Sequence, residues 1–371
     1  MNTTKYIYIF IGLLFLGSCE SNNIGDEQET LKQLWNYEYP GEPEGLSLAQ
    51  LAPEPIREDY IIISPDRFYS CLDQKTGKLI WKKQLPDNAW VSKNELLHDG
   101  SLVFSKLHKQ NKIQALDIED GTLLWEQTNI SGDFFDYVND ALNNSQLYLA
   151  GDDSVIYQYS KSGQYRRELK LQHFARSILH TNGILYISQA WRPEGSEHAA
   201  GRIVAYDSET FEKQWEYETS QGGFYYGPLI YRDGRIYAGT TSGPSTFVAL
   251  NATSGDVIWK KDGQVAYKYI VENDTVYINE SLRLVALDAT NGQEFWVSQF
   301  TGDGQDNIAY LNGYLYHSHG SALYILDANN GEIVYTEPRS PDGSPFGLVA
   351  AADGQVFAQS DYHLYAYEAW K

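Results

Sequence analysis

The sequence predicts an all-β ring, an eight-bladed β-propeller of four-stranded antiparallel blades, and three observations carry the prediction. The first is an eleven-residue phrase that recurs down the chain: CLDQKTGKLIW (71–81), ALDIEDGTLLW (115–125), AYDSETFEKQW (205–215), ALNATSGDVIW (249–259) and ALDATNGQEFW (286–296). A weaker copy is ILDANNGEIVY (325–335), and an eroded one, QYSKSGQYRR (158–167), carries Arg167 where the others carry an aromatic. The closing positions 81, 125, 167, 215, 259, 296 and 335 are 37 to 48 residues apart, the length of one propeller blade. The second observation is a series of turn dipeptides some fifteen residues before most phrases: Asp99-Gly100, Asn143-Asn144, Asn182-Gly183, Asp233-Gly234, Asn273-Asp274, Asn312-Gly313 and Asp353-Gly354, with Glu58-Asp59 opening the first unit. Such pairs accept positive φ and favour two-residue hairpins. The third lies at the ends. The last unit stops at HLYAYEAWK with three strands, and LWNYEYP (34–40) reads as an orphan fourth strand.

Each element follows from these. A unit reads strand, turn, strand, loop, strand, turn, strand. Asp or Asn opening the second turn can hydrogen-bond the backbone two residues on, and the Gly four later supplies positive φ. The closing aromatic then carries a large apolar face towards a neighbouring blade, so Trp35, Trp81, Trp125, Trp215, Trp259, Trp296 and Tyr335 are expected to dock blades together. Pairing 34–39 with 363–368 would complete the eighth blade and hide two sheet edges. Seven blades is the alternative, should the eroded unit near 145–170 not form one.

The phrase A-x-D-x-x-T-G-x-x-x-W resembles the docking repeat of the pyrroloquinoline-quinone-like β-propellers, and the resemblance covers nearly all of 34–371. That superfamily holds quinoprotein dehydrogenases and also non-enzymatic BamB-type outer-membrane assembly lipoproteins. Fold does not fix function. A quinoprotein enzyme would need the quinone with calcium, an Asp base and usually an adjacent Cys-Cys pair, and the chain has no such pair. No G-x-S-x-G, HExxH, P-loop or CxxC occurs either. The expectation is therefore a protein that is not an enzyme, with no catalytic residues, cofactor or metal.

Residues 1–18 read as a lipoprotein signal peptide: Lys5, an apolar run, then Leu16-Gly17-Ser18-Cys19. Cleavage before Cys19 would leave that sulfur to carry the lipid, the membrane anchor. Residues 19–33 read as an acidic, flexible tether and 34–371 as the propeller domain. Without 1–18 the chain has 27 basic and 49 acidic residues, a net charge of −22. That excludes nucleic acid and anionic headgroups as partners of a basic surface. Cys71 is then the remaining thiol and is expected to be a small buried hydrophobe. The address is the bacterial envelope, tethered to the outer membrane, periplasmic or surface-facing.

The loops joining one blade's last strand to the next blade's first, with those between second and third strands, make one face. There the sequence places Trp90, Phe134, Phe135, Tyr137, Phe174, Trp191, Phe224, Tyr225, Tyr226, Tyr267, Tyr269 and Phe346, among Arg176, Arg192, His198, Lys268 and Asp306. The longest insertion, QAWRPEGSEHAAG (189–201), belongs to it. This set is the candidate binding face for an envelope protein or peptide; a glycan or small molecule is the alternative ligand. His317 and His319 alternate on a strand and share a face, which suits a metal, but no third ligand is tied to them in sequence, so a hydrogen-bonded pair is expected. The loop GDGQDN (302–307) has calcium-like oxygens without the rest of a loop pattern and reads as a solvated turn.

Overall fold

The computed structural model describes residues 30–371 apart from 40–50, 58, 65–67, 87–95, 99–100, 108–109, 111, 129–140, 143–144, 152–153, 221, 226, 242–244, 264–267, 281 and 302–306. The expected signal peptide, Cys19, most of the expected tether, residues 302–306, and Trp90, Phe134, Phe135, Tyr137, Tyr226, Tyr267 and Asp306 lie outside the described residues.

Eight four-stranded antiparallel sheets follow one another along 51–84, 96–127, 141–170, 175–219, 230–262, 268–299, 307–337 and 349–368. The unit at 141–170 is a full blade, which settles the count at eight rather than seven. The eighth is closed by Gln33–Glu38, which pairs antiparallel with His363–Glu368 and sets Trp35 opposite Ala366. The compact ring begins at Leu31, three residues ahead of the sequence boundary of 34, because Leu31 is buried among residues of the seventh and eighth blades.

The turns form as their chemistry requires. Both residues of Asn182-Gly183, Asp233-Gly234, Asn273-Asp274, Asn312-Gly313 and Asp353-Gly354 have positive φ. In the phrase, Asp117 Oδ1 accepts the Glu119 N–H at 2.8 Å, and Asp73 Oδ1 accepts from both the Thr76 N–H and its hydroxyl. Hydrogen bonds to the ionised form hold the Asp73, Asp207 and Asp288 carboxyls below their ordinary range.

The core lies between blades. Eight apolar clusters each join two adjacent blades, and the outer aromatic stands in most of them. Each docking indole does two things. Its Nε1–H donates to the carbonyl that follows the next blade's phrase Asp or its equivalent: Trp35 to Gln74, Trp81 to Ile118, Trp125 to Lys161, Trp215 to Ala252, Trp259 to Ala289 and Trp296 to Ala328, at 2.6–3.0 Å. Its ring lies on the phrase Gly, where a Cβ would fall 2.6 Å from the Trp259 ring at Gly292 and 2.7 Å from Trp81 at Gly121. Cys71 is fully buried beside Trp81, its Sγ 3.6 Å from the Ile118 carbonyl, and burial pushes its thiol up to about 12.

Candidate functional site

The fourth blade departs most from the repeat. Its second and third strands, Ile184–Trp191 and Ala200–Asp207, are eight residues each, paired up to Trp191 opposite Ala200. The 189–201 insertion is therefore a continuation of a hairpin, closed by a tight loop with Gly195 at φ +73° and the Ser196 N–H on the Pro193 carbonyl.

At the base of this projection Trp191 stacks on His173 with centroids 4.1 Å apart and planes 5° from parallel. The Arg202 guanidinium sits 5.7 Å from the Trp191 ring. Arg202 is buried yet well supplied with partners: its Nε donates to Gln189 at 2.5 Å, one terminal nitrogen donates to Gln172 at 2.9 Å, and Glu218 lies 3.6 Å away. Gln189 returns a bond to the His173 carbonyl at 2.8 Å, so 172–174 is held against the hairpin. Burial first, and the Arg202 charge second, lower the pKa of His173, so a neutral imidazole faces the indole at pH 7.

Beside this group the Arg176 guanidinium lies 4.9 Å over the Tyr225 ring. Phe174, Arg192 and His198 are exposed, and Trp191, Arg176 and Tyr225 are half-buried. One end of the fourth blade and the segment leading into the fifth thus bring together Phe174, Arg176, Trp191, Arg192 and Tyr225 of the expected face.

Phe224 and Tyr269, expected on that face, are 2% and 3% exposed and belong to the core. Phe224 fills the space over Gly201, where any Cβ would meet its ring, and packs with Tyr186 and Trp215. Tyr269 packs edge-on against Phe247 at 4.8 Å and bonds its hydroxyl to the Pro228 carbonyl. Phe346 is buried between the seventh and eighth blades. An aromatic that opens a first strand has a neighbouring blade to cover it, which the linear repeat does not display.

The reading missed His173, Gln172, Gln189 and Arg202. Little in the sequence could have found Arg202, because a basic residue five before the phrase Asp also occurs as Lys112 and Arg283. Only the longer hairpin buries it.

Among the described residues, Ser360, His363 and Asp342 form a Ser–His–Asp group. It is not arranged for nucleophilic attack. The Ser360 hydroxyl donates to Asp342 Oδ2 at 2.5 Å, and the same oxygen lies 2.8 Å from His363 Nδ1, so the hydroxyl rests on the carboxylate rather than on an imidazole Nε2. Asp342 also accepts from Ser340 and the Ser344 N–H. Burial alone would raise this carboxyl, but the bonds from Ser340, Ser360, Ser344 and His363 outweigh it and hold it far below the carboxylate range. The group is a clasp that ties 340–344 to the last hairpin. Among the described residues, no three His, Cys, Asp or Glu side chains gather as a metal centre would need.

Residues 27–177, 136–259 and 181–370 match, in three overlapping stretches, the family described as outer membrane protein assembly factor BamB. The chain belongs to the BamB family. The assembly factor BamB of Salmonella typhimurium is 24% identical over 343 residues, 82% of this chain and 83% of that one. The solved BamB of Moraxella catarrhalis superposes with a TM-score of 0.68 at 16% identity, over 92% of this chain and 98% of that chain. The quinohemoprotein alcohol dehydrogenase of Comamonas testosteroni does so equally well, with a TM-score of 0.70 at 13% identity over 91% of this chain and 76% of that one. Those two likenesses show the propeller alone; the BamB assignment rests on the sequence match along the ring.

Proposed function

We propose that this chain is a non-enzymatic scaffold of outer-membrane protein assembly, tethered by lipid on Cys19, that holds a protein or peptide partner on the loop face of the fourth blade. The observation that carries it is the projecting 189–201 hairpin in a chain that matches the BamB family across its whole ring. The projection is braced from below by Arg202, Gln189 and His173 and presents Arg192 and His198 to solvent, with the exposed Phe174 on the segment held against it. Aromatic and Arg side chains on a rigid support are what protein interfaces concentrate. One indole face of Trp191 is covered by His173, which disfavours an open sugar-stacking platform and so the glycan alternative.

The test is photo-crosslinking in the native envelope from a benzoylphenylalanine placed at Arg192 or His198. An envelope protein captured there, and not from the same probe at Glu209 in the opposite-end turn, is the expected result; equal capture at both would overturn the site. Separately, Cys19→Ala should move the protein to the soluble envelope fraction with its melting temperature unchanged, since a lipid chain binds by about 0.8 kcal/mol per buried CH₂ and the compact ring begins only at Leu31. Retention in the membrane fraction would mean another anchor.

A further inference from the structure

The interface between the sixth and seventh blades holds side chains that the docking repeat does not use. His317 and His319 stand on the strand Tyr314–His319, and alternation directs both rings at the sixth blade, where Phe300 packs on them at 4.7 and 5.3 Å between centroids. The two imidazoles are 5.7 Å apart and 25° from parallel, and both are buried. His317 Nδ1 lies 3.0 Å from the Asn307 carbonyl. A carbonyl only accepts, so Nδ1 carries the proton and Nε2 offers its lone pair. That Nε2 is buried and has no hydrogen-bond partner among the described residues.

Asn279 comes from the opposite wall. It lies two residues beyond Tyr277, whose hydroxyl donates to the Ala328 carbonyl of the seventh blade, so alternation turns Asn279 to the same interface. Tyr277 and Leu315 share one apolar cluster. Two residues further along both strands, Asn279 and His317 stand at the same level. Asn279 is 2% exposed, and neither its Oδ1 nor its Nδ2 has a hydrogen-bond partner among the described residues. Buried polar groups are nearly always bonded. Two such side chains facing one gap, next to a second imidazole, need an occupant that bonds them together.

We propose that His317 Nε2, the His319 imidazole and Asn279 Oδ1 form a binding site for a divalent transition-metal ion of the zinc class. Imidazole nitrogen with one amide oxygen suits such ions, and a backbone carbonyl fixing the tautomer of a ligating His is the usual outer support. With metal–nitrogen bonds of about 2.1 Å, two imidazoles on one tetrahedral ion have centroids roughly 5 Å apart, so 5.7 Å needs only a small turn of the rings. The chain's charge of −21 favours cations throughout. The third donor is an amide on another blade, so no group of three His, Cys, Asp or Glu marks the site among the described residues. Bound there, the ion would staple the sixth blade to the seventh.

The experiment uses the tag-free mature protein, stripped with chelator. Calorimetric titration with Zn²⁺ should give one equivalent, and the melting temperature should rise with Zn²⁺ and fall back with EDTA. Cu²⁺ in its place should show an electron paramagnetic resonance spectrum with two coordinated nitrogens. His317→Gln, His319→Gln and Asn279→Ala should each weaken uptake by about tenfold or more, a loss of the size seen when a metal site is damaged. His180→Gln, at a ring that stacks on Tyr148 between other blades, should leave it intact. No uptake by the unaltered protein, or uptake that survives His317→Gln, overturns the site. Should the histidine variants not fold, the copper spectrum of the unaltered protein decides, and one without two-nitrogen coupling counts against it.

Discussion

The junction between the third and fourth blades is built differently from the six in which Trp lies on Gly. Arg167 stands where the indole should be, and Phe211 stands where the Gly should be. The guanidinium lies 3.9 Å over the Phe211 ring and donates to the Ser208 carbonyl at 2.7 Å, the position an indole Nε1–H occupies elsewhere. Phe211 adopts φ +62°, the left-handed conformation the turn demands of a Gly. The two departures compensate one another. With a side chain at the fourth position after Asp there is no room for an indole, and a flat cation that stacks on that side chain restores both the contact and the hydrogen bond. The junction therefore specifies a planar N–H donor above whatever the turn presents, rather than Trp as such. At the junction of the seventh and eighth blades, Tyr335 instead meets the Trp370 ring tilted by 32°, with centroids 5.0 Å apart.

The comparison can be broken or sharpened at several scales. Deleting residues 31–39 removes the closing strand and Trp35 together, exposing two sheet edges. It should lower the melting temperature more than any single substitution and promote aggregation; an unchanged melt would show that the eighth blade holds without its fourth strand. Trp259→Ala should cost about 3–5 kcal/mol by denaturant unfolding, the range for emptying a large buried aromatic.

Gly292→Ala meets both a strained φ of +74° and the Trp259 ring, whereas Gly183→Ala, at φ +76°, meets nothing within 4 Å. The second should cost about 1–2 kcal/mol and the first about 1–3 kcal/mol more, so equal costs would refute the indole-on-glycine packing. The Asp342 clasp predicts a pH dependence. Its carboxyl is depressed in the folded ring, so its contribution is present above the ordinary carboxylate value of 3.8 and is lost as pH falls below it. Melting curves of Asp342→Asn and the unaltered protein should differ at pH 6 by about 1–2 kcal/mol and converge in acid. Last, Arg167→Trp should destabilise alone and recover when Phe211→Gly is added, with a coupling of about 1 kcal/mol or more in a double-mutant cycle. Additive costs would mean the pair does not act as one device.

The ring itself was legible because a propeller repeats its chemistry. Asx-type turns, positive-φ dipeptides and a docking aromatic recur at fixed offsets, and Leu34 through Tyr39 announce the missing strand. The eroded third unit was legible only in outline: Arg167 reads as a loss until Phe211, 44 residues later, is seen beneath it. The site was legible in part. Trp191 and Arg176 are half-buried beside the extended hairpin, whereas Phe224 and Tyr269 are core and did not separate from the exposed aromatics by type or spacing.

The sequence by itself determined local conformation, the blade repeat, the candidate closing strand and the order of the docking residues, since each depends on neighbours within about fifteen positions or on periodic repetition, while the full blade at 141–170 fixed the count at eight. Tertiary structure decided which aromatics are covered, that Arg202 is buried and braces a hairpin, and that the polar side chains of Asn279 and His317 are buried. Those outcomes depend on one blade laid against the next, between residues some forty positions apart, and burial and pairing across such a gap are properties of the assembled interface and of no segment alone.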